Sequence, residues 1–114
     1  MDRPLLNESE RKARQTLVTL AKAMINKDLS FFEGAPKILS LKDDIGGIYD
    51  KDQDFDVFVV ILSETDHLPL EQQKHLWSKE ALAKLEIEFR ETEEWANTFA
   101  QEACENLITR FRYQ

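Results

Sequence analysis

The amino-acid sequence predicts an all-α fold, an antiparallel bundle of about four main helices that includes a long C-terminal helix. Apolar residues recur at three- and four-residue steps in two long segments, which is the spacing of one helix face. The chain of 114 residues contains only 3 glycines and 3 prolines, few for a protein built of turns and short strands. This length is typical of one domain, so we expect a single helical domain over residues 1–114.

The first predicted helix spans about Asn7 to Asn26. Asn7 or Ser9 can cap its first turn, because a short polar side chain accepts hydrogen bonds from the free N–H groups there. The apolar stripe consists of Ala13, Leu17, Leu20, Ala21 and Met24. The stripe predicts that one face of this helix packs against the rest of the bundle.

A second helix is predicted to begin after Ser30, which can form a capping box with Glu33. We expect this helix to run to about Asp44. Pro36 lies past the first turn, where its ring and its missing N–H predict a kink. The Gly46-Gly47 pair that follows is typical of a helix stop.

Residues 55–62 are ambiguous, since their β-branched and aromatic side chains favour a strand. A lone strand would have no partner among helical neighbours, and an isolated hairpin is marginally stable. We therefore predict a buried helix from about Gln53 to Glu64, capped by Asp52 or Asp54. A short helix then follows, reaching Trp77.

The last predicted helix is capped by Ser78 and runs from Lys79 to about Phe111. Its apolar seam consists of Ala81, Leu82, Leu85, Phe89, Thr92, Ala96, Phe99, Ala103 and Leu107. At 1.5 Å per residue this helix is about 50 Å long. The alternating four- and three-residue steps predict a continuous seam that faces the core, with Leu85 and Phe99 among its buried residues.

The charge of the chain limits its partners. It carries 15 basic and 22 acidic residues, a net charge of −7. We therefore expect no nucleic acid and no membrane as partner, and favour a basic protein. No targeting segment is visible, and the lone Cys104 suggests a reducing compartment, so we expect a cytoplasmic location.

The excess negative charge lies in residues 43–71, which contain nine acidic residues and one basic residue. The candidate partner-binding residues within this run are Asp50, Asp52, Asp54, Asp56, Glu64, Asp66 and His67. Their simpler interpretation is a solvated loop and helix face. A dense acidic patch would instead speed and orient the binding of a basic partner.

Metal sites match the sequence poorly. Residues 50–54 start like a calcium loop, but Phe55 and Ile61 occupy the positions of the required Gly and Glu. The two histidines, His67 and His75, do not have the spacing of a metal signature. We therefore predict no metal and no cofactor.

Catalysis has one candidate centre in the sequence. Glu64 and Asp66 could form an acid–base pair beside His67. Cys104 has acidic neighbours, which raise the pKa of a thiol and argue against a nucleophile. We predict no catalytic residue and keep a small enzyme centred on Glu64, Asp66 and His67 as the third alternative.

Four segments in this order carry a resemblance: Ser30–Ala35, Ser63–Pro69, Trp77–Leu82 and Glu93–Ala96. The arrangement resembles a group of small, acidic, helical bacterial proteins of unassigned activity. Some proteins of this kind are similar to immunity proteins of toxin systems. The resemblance implies a binder rather than an enzyme, and it transfers no catalytic residues. Together with the acidic run it leads us to predict an immunity-type or inhibitor protein that binds and neutralises a cognate, basic toxin through an acidic surface. The alternative is a helical interaction or regulatory domain, with a homodimer through the last helix as one form.

Overall fold

A computed structural model describes residues 7–45 and 52–112 of the chain. Its helices are α1 (Glu8–Ile25), α2 (Phe31–Leu41), α3 (Gln53–Glu64), a short 3₁₀ helix (Glu71–Leu76) and α4 (Lys79–Phe111). Within these two ranges the chain forms no strand, which confirms the predicted all-α bundle with its long C-terminal helix. None of the described helices is both long and apolar enough to cross a membrane.

Side-chain caps set the starts of three helices. Asn7 Oδ1 accepts from the Glu10 N–H at 2.7 Å, and the Glu10 carboxylate accepts from the Asn7 N–H at 3.1 Å. Ser30 caps α2 and Ser78 caps α4, each through a hydroxyl that accepts an amide bond of 3.0 Å. Each bond satisfies an N–H group that the helix itself leaves free, so these predicted starts are confirmed.

Helix α2 differs from its prediction in two details. The Glu33 carboxylate accepts from the Glu71 N–H at 2.8 Å, at the start of the 3₁₀ helix, instead of closing the expected capping box. Helix α2 continues through Pro36 and ends at Leu41, earlier than expected, in a turn. The Gly46-Gly47 pair, expected to stop this helix, lies outside the described residues.

Helix α3 resolves the ambiguity of residues 55–62 in favour of a helix. Phe55, Phe58 and Ile61 are fully buried, at the three-residue steps of one helix face. Val59 and Val60 lie on the outer side and are nearly half exposed. The predicted helix is therefore buried on one face only. In a strand, Phe55 and Phe58 would point to opposite faces, so this burial pattern does not fit a strand.

Helix α1 runs antiparallel to α4. The Arg14 guanidinium in its first half lies 5.0 Å from the ring centroid of Phe111. Lys27, just past the end of α1, donates to Asn97 at 2.8 Å. Buried Arg14 also donates from Nε to the Ile45 carbonyl at 2.6 Å, and so holds the segment that follows α2 against the bundle.

Close packing joins α2 to both α1 and α4. A Cβ atom at Gly34 would overlap Sδ of the fully buried Met24, so glycine lets the first two helices approach. The Glu93 carboxylate accepts from the N–H groups of Phe31 and Phe32 at 3.1 and 2.8 Å. An α4 side chain thereby places negative charge at the positive N-terminus of α2.

The two halves of α4 are buried to different degrees. The buried residues of this helix all lie in the half that begins at residue 96; they are Ala96, Ala100, Ala103, Cys104, Leu107 and Phe111. In the other half, residues 79–95, Leu85 is only partly buried and Ile87 is 60% exposed. The predicted continuous core seam is therefore wrong for residues 79–95, because α1 ends beside Asn97 and α2 begins beside Glu93. The molecule is accordingly elongated, 59 × 27 × 25 Å.

Candidate functional site

Asp52 and Asp54, at the start of α3, are paired within the chain. Arg110 Nη1 lies 2.9 Å from Asp52 Oδ1 and 2.8 Å from Asp54 Oδ2, and its Nη2 lies 2.8 Å from Asp52 Oδ2. Asn106 also donates to Asp54 at 3.0 Å. We name Asp52, Asp54, Asn106 and Arg110 the Arg110 cluster. The two carboxylates, with side chains 13% and 17% exposed, are not the water-facing acids that the sequence predicts.

The Arg110 cluster fixes the start of α3 to the end of α4. The hydrogen bonds from Arg110 hold the pKa of Asp52 below its ordinary value of 3.8, and the bond to Asp52 raises the pKa of Arg110. Asp52 also caps α3, as predicted, by accepting from the Asp54 N–H at 3.1 Å. These contacts give Asp52 and Asp54 a structural role, which the local sequence does not reveal because Arg110 is distant in the chain.

The predicted acidic residues fall into separate places. Asp56 is exposed on α3, one turn from the Arg110 cluster, and Asp50 lies outside the described residues. Glu64 is at the other end of α3, a 12-residue helix that is about 18 Å long. The described candidates therefore lie in two places: Asp52, Asp54 and Asp56 are near the start of α3, and Glu64, Asp66 and His67 are near its end.

A groove lies between the end of α3 and the first half of α4. It encloses about 290 Å³ and is lined by Glu64, Thr65, Glu88, Glu91, Thr92 and Trp95. We name these residues the acidic groove, since three of the six carry a carboxylate. Trp95 is 38% exposed and packs edge-on against Phe99, with ring centroids 4.9 Å apart.

His67 stands at the rim of the acidic groove. Its Nε2 forms a hydrogen bond with the Glu88 carboxylate, and its Nδ1 lies 3.9 Å from the Asp66 carboxylate. The bond to Glu88, with the charges of Glu88, Asp66 and Glu64, raises the pKa of His67 above its ordinary value of 6.5. This contact joins the turn after α3 to α4, so α3 also runs antiparallel to α4.

The arrangement is suited to holding a positively charged side chain. Carboxylates supply charge and hydrogen-bond acceptors, and an exposed indole can contact a cation through its ring face. The residues that line the groove include Glu64 but neither Asp66 nor His67. The three residues of the enzyme alternative therefore do not share this cavity. No group of three or more His, Cys, Asp or Glu side chains in residues 7–45 and 52–112 is arranged to hold a metal ion.

The sequence reasoning missed the α4 side of the groove. Glu88, Glu91 and Trp95 follow one another at steps of three and four residues, so they share one face of the helix. That spacing is a usable sequence signal for this side of the groove. No local sequence pattern indicates that His67 contacts Glu88, because this contact depends on how the turn after α3 packs against α4.

The fold and the groove define a small all-α protein with an acidic cleft between two antiparallel helices. A family model with the description "Protein of unknown function (DUF2489)" matches residues 4–107, so the chain belongs to this family. No curated protein and no solved structure matches the chain. Family membership thus assigns no activity.

Proposed function

We propose that this protein is a binder of the inhibitor or immunity type, which docks a basic protein partner on its acidic groove. The observation that carries the proposal is the meeting of Glu64, Glu88 and Glu91 with a partly exposed Trp95 in one cleft. Opposite charge accelerates the encounter of two proteins and orients them. A tryptophan in a cleft is a typical energetic anchor of an interface.

The proposed contact involves two kinds of residue. Glu64 and Glu91 would pair with lysine or arginine side chains of the partner, while the Trp95 ring contacts their apolar stems or charged heads. Asp66, whose side chain is 81% exposed, adds to the attractive field at the rim. The carboxylates are expected to govern association, and the indole to govern dissociation.

A basic toxin domain is the specific partner that we propose. The sequence resembles a group of proteins, some of which are similar to immunity proteins, and the chain's net charge of −7 supports binding to a basic surface. Inhibition would follow from occlusion of the toxin's active surface, which requires no catalytic group in this chain. A cytoplasmic location and the absence of a cofactor are part of the same proposal.

Charge reversal in the groove tests the proposal. Wild type, Glu64→Lys/Glu91→Lys and the control Asp43→Lys/Asp44→Lys would be immobilised and exposed to lysate of the source cell, then eluted with salt. The control reverses two exposed acids in the turn after α2, so both variants carry the same net charge. We expect a basic protein that wild type and control retain and that the groove variant loses.

Expression of the captured protein then distinguishes inhibition from simple association. Its toxicity on expression should be relieved by co-expression of the wild type and the control, but not of the groove variant. Trp95→Ala should shorten the lifetime of the purified complex with little change in association rate. Equal retention by all three proteins would contradict the proposed surface, and retention without relief of toxicity would contradict inhibition.

A further inference from the structure

A second groove lies beside the 3₁₀ helix, in the poorly covered half of α4. It encloses about 320 Å³ and is lined by Lys74, Lys79, Leu82, Ala83, Glu86 and Phe89. Lys79, Ala83 and Glu86 follow steps of four and three residues and therefore share one helix face. The acidic groove uses Glu88 and Glu91, which point to nearly the opposite side of α4 at 100° per residue.

We propose that this second groove binds a second copy of the chain, in a two-fold symmetric dimer with antiparallel α4 helices. Lys74 is paired with Glu71 at 3.0 Å, and the other two charged residues of the lining, Lys79 and Glu86, are self-complementary. Lys79 and Glu86 are seven residues apart, about 10.5 Å along the helix, with Leu82 and Ala83 midway between them. A two-fold axis at Leu82 and Ala83 brings Lys79 of each copy opposite Glu86 of the other copy.

The residues at the proposed axis suit close helix packing. Ala83 is exposed and small, so two α4 helices can approach there without displacing a side chain. Leu82 at the axis and Phe89 beyond Glu86 are only partly buried and provide the apolar contact. An isologous interface of this kind uses the same residues on both copies, as two-fold symmetry requires.

The size of the surface sets the strength of the dimer. With the axis at Leu82 and Ala83, the two α4 helices face each other over residues 79–86, about 10.5 Å, so the contact is smaller than the roughly 800 Å² per partner of a standard interface. Leu76 and Trp77, which are 75% and 40% exposed, lie next to the groove and can add apolar area. We expect a reversible dimer with a micromolar dissociation constant. The acidic groove stays open on both copies, so this inference does not depend on the proposed function.

Sedimentation velocity over a range of protein concentrations tests the dimer. Lys79→Glu and Glu86→Lys each replace two interface ion pairs by two like-charge contacts, and should weaken self-association by about ten- to a hundredfold. Lys84→Glu and Glu94→Lys are the matched controls, because both residues are exposed outside the groove. These controls should dimerise like the wild type.

Mixing the two variants supplies the decisive measurement. A 1:1 mixture of Lys79→Glu and Glu86→Lys should dimerise like the wild type, because each copy then offers the charges that the other lacks. The double variant Lys79→Glu/Glu86→Lys should also recover self-association. A misfolded variant would not be rescued in this way. The inference would be overturned if the wild type stays monomeric at every concentration. It would also be overturned if Lys79→Glu and Glu86→Lys dimerise as strongly as the wild type.

Discussion

The two halves of α4 have the same apolar periodicity but opposite environments. In residues 96–111 the seam consists largely of small side chains such as Ala96, Ala100 and Ala103, and it is buried under α1 and α3. In residues 79–95 it consists of larger side chains such as Leu82 and Leu85, which are only partly covered.

This difference shows what periodicity can and cannot determine. A helical stripe of apolar residues shows which face of the helix can pack against the core, but its burial depends on how far the neighbouring helices extend. Here α1 and α2 stop near Asn97 and Glu93. The half of α4 beyond them carries both candidate binding grooves, whereas the other half holds the core together.

Thiol reactivity should give the largest contrast between the halves. Burial, with a smaller effect of Glu105, raises the pKa of Cys104 to about 12. Its thiolate fraction at neutral pH is then about a thousandfold lower than that of an exposed thiol. In an Ile87→Cys variant, a thiol reagent should label the cysteine introduced at position 87 rapidly and Cys104 at least about a thousandfold more slowly. Rapid labelling of both sites would show that residues 96–111 open readily.

Truncation of leucine should give the next largest contrast. Leu107→Ala removes a fully buried side chain and should lower the free energy of unfolding by about 2–5 kcal/mol. Leu85→Ala removes a partly buried one and should cost about 1 kcal/mol. Urea denaturation at low protein concentration measures both values with little contribution from a dimer. Equal losses would mean that the core continues into residues 79–95.

Protonation should give the smallest contrast. The pKa of His67 is raised, so the stability from its pairing with Glu88 is present below pH 6.5 and is lost as the pH rises through the higher folded-state value. The pKa of Asp52 is lowered, so the stability from its pairing with Arg110 is lost only as the pH falls below 3.8. Of these two pairs, rising pH therefore weakens the His67–Glu88 contact with residues 79–95 and leaves the Asp52–Arg110 pair intact.

A nuclear magnetic resonance titration of the His67 ring checks this prediction. The wild type should titrate above pH 6.5, and Glu88→Gln should move the pKa downward. Arg110→Gln is the matched control, because Arg110 of α4 contacts the opposite end of α3, and it should leave the His67 titration unchanged. The same titration in wild type and Glu88→Gln would show that the pair does not persist in solution.

The helix boundaries were predictable where the signal is local. Ser78 and Asn7 cap helices through bonds within three residues, and α3 and α4 begin and end close to their predicted limits. The bond between Glu33 and Glu71 joins residues 38 positions apart, so it depends on a segment outside α2. Such contacts are set by the packed fold, not by the helix that contains the residue.

The candidate site was less predictable for the same reason. The sequence predicts an acidic partner-binding surface in the middle of the chain, and one of its candidate residues, Glu64, lines a cleft. It does not reveal that Asp52 and Asp54 pair with Arg110, which lies more than fifty residues away. Charge density along a sequence therefore overestimates the charge offered to a partner, because part of it is neutralised inside the molecule.

Contact between Arg14 and Phe111 has a consequence for the folding of the nascent chain. A ribosome completes α1, α2 and α3 before it synthesises residues 96–111, which cover them. Leu17, Phe58 and their neighbours therefore lack their final cover during that interval, and exposed apolar surface favours aggregation. Sequence-distant contacts also slow folding, because a long loop must close before they form. Slow translation through residues 79–95 would lengthen this vulnerable interval and increase the demand for chaperones.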